Sequence, residues 1–291
     1  MKLKQFLPSL FRPTFLKFLT IVFLISISLT TSWDFANAIQ KDTSFNNPTL
    51  QKVIASSHRS ATNCARDRDR HPLETLEFFG VSPTQTVVEL WPGNGWYTEI
   101  LAPFLRDRGQ LIVTNFDPNK SKPAKALQDK LAANSAIFGK VKIATIDPPQ
   151  KLILAPNNSV DVVLTFRNIH NWITGGYADK VYVAAFQALK PNGILGLEEH
   201  RAKDGTSLQD SAKTGYIDEK TVIADIEKVG FKFVGKSEIN ANPKDTKDYP
   251  DGVWTLPPTL RLGEKNKERY LAIGESDRMT LKFIKPSKIG L

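Results

Sequence analysis

The segment VVELWPGNGWYTEILAP, residues Val87–Pro103, sets the first expectation about the fold. An apolar run carries the acid Glu89 near its end, breaks at PGNG (Pro92–Gly95), and resumes with helical spacing. A simple turn needs fewer residues, whereas backbone that a ligand approaches closely needs glycines of this kind. The segment therefore predicts a strand, a ligand-binding loop and a helix. We call Pro92–Gly95 the glycine loop.

Strand-like and helix-like segments alternate from residue 86 onwards. The predicted strands are Thr86–Leu90, Gln110–Asn115, Val141–Thr145, Val160–Phe166, Ile194–Glu199, Phe231–Ile239 and Met279–Ile284. The predicted helices between them are Trp96–Arg106, Pro123–Ala132, Tyr177–Leu189 and Glu219–Val229. This alternation predicts an α/β fold with a doubly wound, mostly parallel seven-stranded sheet of Rossmann-like type. Ligands bind such sheets beyond the carboxyl ends of the strands.

Residues 1–38 have the features of a signal peptide: a basic start, an apolar run and a small-x-small site at Ala36-Asn37-Ala38. We expect export to the periplasm or an equivalent extracytoplasmic compartment, with an uncleaved membrane anchor as the alternative. The apolar run is short for a spanning helix, so no stable membrane span is expected after cleavage. Residues 39–80 are predicted to be a helical extension and residues 81–291 the main domain. Within that domain, the proline-rich segment 240–263 is predicted to be a long, lid-like loop.

Charge and cysteine content limit the possible partners. The formal net charge of +9 falls to +6 without residues 1–38, which contain four basic residues and Asp34. No run of Lys and Arg is long enough for a nucleic-acid-binding arm, so we expect a small-molecule substrate and no nucleic acid. Cys64 is the only cysteine, which excludes an internal disulfide. The oligomeric state stays open.

The stretch ELWPGNG (Glu89–Gly95) resembles motif I of class I S-adenosylmethionine-dependent methyltransferases, in which a strand ends in an acid before a G-x-G-x-G loop. Gly93 and Gly95 match the second and third glycines, while Trp91 replaces the first. The order of strands extends the resemblance from about residue 80 to residue 285. More narrowly, WPGNGWYTEILAP, FRNIHNW and NPKDTKDYPDGVWTLPP are similar to motifs of a group of exported, predicted bacterial methyltransferases.

The resemblance implies S-adenosyl-L-methionine as cofactor. The positions it assigns to that cofactor are Glu89, Gly93, Gly95, Asn115, Asp117 and Asp147. The two glycines would lie beside the methionine part, and Glu89 would contact its amino group through the loop or water. Asn115 stands where the family has an acid for the ribose hydroxyls, and it lacks the charge that strengthens such hydrogen bonds. Asp117 follows two residues later, and Asp147 fits an acid near the adenine or a turn residue.

The segment LTFRNIHNW (Leu164–Trp172) follows the fourth predicted strand and carries the richest chemistry. His170 is a candidate general base, and Asn168 is a candidate for orienting cofactor or substrate. His200, after the fifth strand, is the second candidate base. These three are the predicted catalytic residues; the alternative is that they make structural hydrogen bonds only. Together with Glu199, the two histidines are residue types that could bind a metal ion. Their spacing matches no recognised ligand pattern, so we predict no metal.

Two further segments border the expected site. The run RDRDRH (Arg66–His71) alternates acid and base, which is typical of solvated charge pairs on a helix. The alternative is that Arg66 or Arg70 reaches over the pocket and holds an anionic substrate. In segment 240–263, Trp254, Pro257 and Pro258 are placed to line an apolar acceptor site or to plug the domain.

The leading functional hypothesis is an exported methyltransferase that transfers a methyl group to a small molecule, mainly by positioning the reactants. The alternative is a non-catalytic binding protein for a small metabolite on a methyltransferase scaffold. The predicted export favours this alternative, because the cofactor is made in the cytosol and a chain exported in the unfolded state cannot carry it. Trp91 and Asn115, which depart from the cofactor-binding pattern, also favour it. A hydrolase ranks last because no G-x-S-x-G motif is present.

Overall fold

A single seven-stranded sheet organises the chain. The structure, a computed structural model, describes residues 48–287; the predicted signal peptide lies outside them. The strands are β1 (Thr86–Leu90), β2 (Gln110–Asn115), β3 (Lys142–Thr145), β4 (Val160–Phe166), β5 (Leu189–His200), β6 (Lys232–Ser237) and β7 (Arg278–Ile284). Their order is β3-β2-β1-β4-β5-β7-β6, and only β7 runs antiparallel to its neighbours. The predicted fold class is confirmed.

Helices connect the strands and form the N-terminal extension. The helices before β1 are α1 (Pro48–Ile54), α2 (Ala61–Cys64), α3 (Asp67–Arg70) and α4 (Pro72–Phe79). The helices between β1 and β5 are α5 (Thr98–Leu105), α6 (Lys122–Ala133), α7 (Ser135–Phe138), α8 (Ile169–Thr174) and α9 (Ala178–Ala188). The later helices are α10 (Leu208–Thr214), α11 (Glu219–Lys228) and α12 (Lys267–Ile273). Among residues 48–287, no helix is long and apolar enough to cross a membrane.

The sheet topology places several chain segments at one edge. The carboxyl ends of the parallel strands β1, β2, β4 and β5 meet there, and the strand order reverses at β1, which is where ligands bind in open α/β sheets. Because β7 is antiparallel, its amino end reaches the same edge, and His200 at the end of β5 pairs with Arg278 at the start of β7. Residues just before β7 therefore join those just after β4 and β5.

Apolar residues of the strands face two separate clusters. In β1, Val88 packs in the cluster that contains Trp172 and Leu197, whereas Val87 packs in the cluster that contains Ile100. This alternation follows from the two-residue period of a strand and buries both faces of the sheet. A third, smaller cluster joins segment 240–263 to its neighbours through Tyr249, Val253, Leu256, Ala202, Tyr216 and Tyr270.

Three local features go beyond the sequence predictions. The stretch Pro191–Gly193 belongs to β5, whose pairing with β4 is irregular between Val160 and Val162. The segment after β4 forms α8, which carries His170. Segment 240–263 contains a 3-10 helix at Gly252–Thr255 and buried side chains.

Candidate functional site

A polar cavity of about 220 Å³ opens at the carboxyl edge of the sheet. We call it the arginine–histidine cavity. Its lining residues are Arg66, Arg70, Arg167, His170, His200, Val253, Trp254, Pro257, Pro258, Thr259, Glu275 and Ser276. They come from α3 and the residue before it, the ends of β4 and β5, α8, segment 240–263 and the stretch before β7. Predicted candidates from four distant parts of the chain thus lie around one space.

Arginines dominate one wall of the cavity. Glu275 accepts from three guanidinium groups: its Oε1 lies 2.6 Å from Nε of Arg66, and its Oε2 lies 3.3 Å from Nε of Arg70 and 2.8 Å from Nη1 of Arg278. The expectation that Arg66 and Arg70 form solvated pairs is therefore wrong. Arg70 is only 3% exposed, and its guanidinium lies 4.7 Å from the centroid of the Trp96 ring.

The fourth guanidinium group belongs to Arg167, which directly follows β4. Its Nη1 lies 2.8 Å from Oε1 of Glu198, a fully buried carboxylate that also faces Nη1 of Arg278 at 3.4 Å. Arg167 adopts φ of 60°, in the left-handed region that residues with a Cβ rarely occupy. Backbone strain of this kind is concentrated at ligand sites. Four guanidinium groups thus share the two carboxylates Glu198 and Glu275.

The neighbouring arginines lower the pKa of both shared carboxylates, Glu198 and Glu275, against the effect of burial. Burial raises the pKa of Glu275, but Arg278, Arg70 and Arg66 outweigh that effect and bring the pKa to about 2. Conversely, burial and the neighbouring charge of Arg167 lower the pKa of Arg70 to about 9, although Glu275 opposes this shift. Burial is the larger cause of this shift, and in the same cluster the pKa of Arg167 is raised by Glu198 and Glu275 against the effect of burial.

Two donors of the cluster, Nη2 of Arg66 and Nε of Arg278, are buried without an acceptor among residues 48–287. A buried donor that is left unpaired costs roughly 1–3 kcal/mol. Arg66 is also one of the residues that line the cavity.

The histidines form another part of the cavity wall. Nδ1 of His170 lies 3.0 Å from Oε1 of Glu199, whose Oε2 accepts from the backbone N–H of Ile169 at 2.6 Å. Nδ1 of His200 lies 2.5 Å from Oγ of Ser276, and the two imidazole centroids are 5.5 Å apart. Burial, followed by the charges of His170 and Arg167, keeps the pKa of His200 well below its ordinary value. His200 is therefore a neutral ring at physiological pH.

The ligand atoms of His170, Glu199 and His200 lie within 4.8 Å of one another, as a metal site would require. The charge environment argues against a cation, because Arg167 and Arg278 already disfavour positive charge on His200. Glu199 also accepts three hydrogen bonds, from Ile169, His170 and His200. The absence of a metal stays a prediction.

Segment 240–263 provides the apolar wall. Trp254, Pro257 and Pro258 line the cavity as the sequence predicts. The indole of Trp254 lies 6.0 Å from the imidazole of His170 in an edge-on arrangement, and the guanidinium of Arg261 covers it at 4.6 Å. An organic part of a ligand would contact this wall.

The glycine loop has the backbone conformation that its sequence predicts. Gly93 and Gly95 adopt φ of 58° and 76°, and open space surrounds the position of a Cβ at Gly93. Glu89 is fully buried below the loop, where it accepts a 2.6 Å hydrogen bond from Oγ1 of Thr98. Burial raises the pKa of Glu89 to about 7, although Thr98 opposes the shift. Glu89 therefore ties the loop to α5.

Two residues around this loop, Trp91 and Asn115, depart from the pattern of the methyltransferase motif. The ring of Trp91 lies 5.0 Å from that of Trp172 and 6.2 Å from that of Phe116, so it packs against aromatic residues that follow β4 and β2. Asn115 donates to the carbonyl of Ala124 at 3.0 Å and accepts from the N–H of Phe116 at 3.0 Å. The amide predicted to hold ribose is thus already bonded within the chain.

The remaining predicted residues lie away from the arginine–histidine cavity. Asp117 and Asp147 line a second cavity of about 310 Å³ beyond β2 and β3. Asn168 donates to the carbonyl of Leu90 at 3.0 Å and to Oγ1 of Thr165 at 3.2 Å, so it joins the ends of β1 and β4. Its amide positions backbone and does not line the cavity with His170.

Sequence reasoning missed Glu275, Ser276 and Arg278. The available signal was the run GESDR (Gly274–Arg278), which places four polar residues directly before an apolar strand. Its relevance depends on β7 running antiparallel beside β5, which the local pattern does not show.

Comparison with solved structures supports the fold. A S-adenosylmethionine-dependent methyltransferase from Aquifex aeolicus has a TM-score of 0.50 at 14% identity, covering 83% of this chain and 99% of that one. The [4+2]-cyclase SpnF has a TM-score of 0.54 at 14% identity, covering 83% and 93%. Phosphoethanolamine N-methyltransferase 2 from Haemonchus contortus, in complex with S-adenosyl-L-methionine, has a TM-score of 0.51 at 16% identity, covering 82% and 60%.

These similarities define a methyltransferase-like fold. At such identities they show the fold alone, and the fold also occurs in a protein described as a cyclase. No family model matches the chain, and no curated protein matches it.

Proposed function

We propose that the protein is an exported, methyltransferase-fold protein that binds a small organic or inorganic anion in the arginine–histidine cavity. The observation that carries this proposal is the cluster at the cavity wall in which four guanidinium groups share only two carboxylates, Glu198 and Glu275. Guanidinium groups bind carboxylate and phosphate oxygens through paired, charge-assisted hydrogen bonds. The apolar wall at Trp254 would contact any organic part of the ligand.

Export agrees with this proposal. Residues 1–38 have the pattern of a signal peptide, and a chain exported unfolded would meet small anions outside the cytosol without needing a cytosolic cofactor. Trp91, which packs against Trp172 and stands where the methyltransferase motif has its first glycine, supports the same view.

Methyl transfer from S-adenosylmethionine is the second candidate. It is favoured by the left-handed conformation of Gly93 and Gly95 and by the open space at Gly93, which together would allow close approach of a ligand. Under this candidate the arginine–histidine cavity would hold the methyl acceptor. Trp91 would have to leave its contacts with Trp172 and Phe116 first.

Calorimetric titration separates the two candidates. The purified protein is titrated with hydrogen phosphate, sulfate, acetate and glycolate, and separately with S-adenosylmethionine and S-adenosylhomocysteine. We expect binding of at least one oxyanion, weakened in Arg66→Gln and unchanged in Arg68→Gln, whose side chain is 85% exposed. Binding of S-adenosylmethionine without binding of any oxyanion would replace the first candidate by the second.

A further inference from the structure

The hydrogen bond at Nδ1 of His170 determines whether the other ring nitrogen, Nε2, is a hydrogen-bond donor or acceptor towards a ligand. Glu199 accepts at Oε1 from the backbone N–H of His200 at 2.9 Å and at Oε2 from that of Ile169 at 2.6 Å. These bonds hold it as a carboxylate, which only accepts hydrogen bonds. Nδ1 of His170, 3.0 Å from Oε1, therefore carries a proton.

The second nitrogen of His170 is then an acceptor. In a neutral imidazole, a proton on Nδ1 leaves Nε2 with a lone pair. His170 lines the cavity, and Nε2 has no hydrogen-bond partner in the described part of the chain. The cavity thus presents donors at the arginine wall and an acceptor at the histidine wall.

We propose that the ligand of the arginine–histidine cavity is a small oxyanion that also carries a hydroxyl donor. The arginines bind its charged oxygens, and Nε2 of His170 accepts a hydrogen bond from its O–H group. This inference rests on the proposed function. Hydrogen phosphate and α-hydroxy carboxylates share the required chemistry, whereas sulfate and simple carboxylates have the charge without the hydroxyl.

The contrast between these ligands has a physical origin. With sulfate or acetate, Nε2 of His170 would face either an oxygen lone pair or nothing, so a buried acceptor would lose its hydrogen bond with water. A site built to hydrogen-bond a hydroxyl rejects analogues that lack it. We therefore expect discrimination of at least about tenfold within a matched pair of ligands.

The test compares matched pairs at neutral pH by calorimetry. We expect hydrogen phosphate to bind at least about tenfold more tightly than sulfate, or glycolate more tightly than acetate. Preference in the first pair alone identifies a phosphate ligand, and preference in the second alone a hydroxy acid. In His170→Phe, the favoured ligand should fall to the affinity of its partner, while sulfate and acetate keep theirs.

Equal affinity within both pairs for the unmodified protein would overturn the inference and leave the proposed function standing. A preference that persists in His170→Phe would overturn it too. No binding of any of the four anions would overturn the proposed function itself. The comparison in the unmodified protein decides the matter even if His170→Phe does not fold.

Discussion

Oε1 of Glu199 lies 3.0 Å from Nδ1 of His170, and this contact decides which ring nitrogen meets the cavity. The pair joins two elements that follow the sheet edge, since Glu199 lies near the end of β5 and His170 on the helix after β4. An oriented imidazole beside a carboxylate is an arrangement that binding and catalytic sites share.

This orientation predicts the tautomer of His170. In the neutral ring, the proton should reside on Nδ1, because Glu199 accepts from that atom. Nitrogen-15 NMR of histidine-labelled protein measures the tautomer, and the spectrum of His170→Phe assigns the resonances among the four histidines of the chain. Protonation on Nε2 instead would contradict the geometry of the site.

The arginine cluster predicts stabilisation by anions. A ligand that binds only the folded state raises its stability in proportion to the logarithm of ligand concentration above the Kd. We expect hydrogen phosphate or glycolate to raise the Tm of the unmodified protein and of Arg68→Gln, and to raise that of Arg66→Gln much less. An equal rise in all three proteins would show that the anions act elsewhere.

The glycine loop predicts unequal costs for two similar substitutions. Gly93→Ala should cost about 1–2 kcal/mol, the strain of a left-handed residue with a Cβ, because open space surrounds that position. Gly95→Ala should cost more, since its Cβ would also lie 3.2 Å from Cδ1 of Leu127. Urea denaturation measures both free energies of unfolding; a smaller cost at Gly95 would contradict the packing described here.

Glu89 predicts a pH dependence of stability. Burial raises its pKa from 4.5 to about 7, so between these values the unfolded chain loses the proton while the folded chain keeps it. Stability from this group is thus fully present below about pH 4.5 and is lost as pH rises to about 7, by on the order of 2–3 kcal/mol.

Substitution of Glu89 isolates this contribution. Glu89→Gln retains an acceptor for Thr98 and cannot ionise, so its free energy of unfolding should exceed that of the unmodified protein above pH 7 and approach it at low pH. Glu264→Gln is the matched control, because that side chain is 87% exposed. A constant difference across the pH range would exclude Glu89 as the source.

The indole of Trp91 predicts the response to S-adenosylmethionine. Trp91→Gly removes the ring that contacts Trp172 and Phe116 and restores the glycine that the methyltransferase motif has at this position. Trp91 adopts φ of 44°, which glycine accommodates without strain. We expect calorimetry to detect cofactor binding to Trp91→Gly and none to Trp91→Phe. Binding to neither variant would show that Asn115 or another residue limits affinity.

The sequence predicts β1, the glycine loop and a mostly parallel seven-stranded sheet, because the alternation of strand-like and helix-like segments is a local pattern. Residues Thr86–Leu90 and Val160–Phe166 are strands with the predicted bounds. Helix α8 was missed because a six-residue helix has too few positions to show a period.

The cavity's arginine wall was beyond sequence prediction for a different reason. Whether Arg66 forms a solvated pair within its own segment or an ion pair across the fold depends on Glu275, which lies 209 residues further along the chain. The charge run alone is compatible with either state, so only the tertiary fold decides between them. His170 and His200 were identified because both follow predicted parallel strands, whose carboxyl ends share one edge.

The central claim is that the arginine–histidine cavity, and not the glycine loop, holds the ligand. Calorimetric titration of one preparation with hydrogen phosphate, glycolate and S-adenosylmethionine tests it most directly. The account predicts that an oxyanion binds with a Kd in the roughly micromolar to millimolar range and that S-adenosylmethionine does not bind. Tight binding of S-adenosylmethionine, with no heat from either oxyanion, would contradict it.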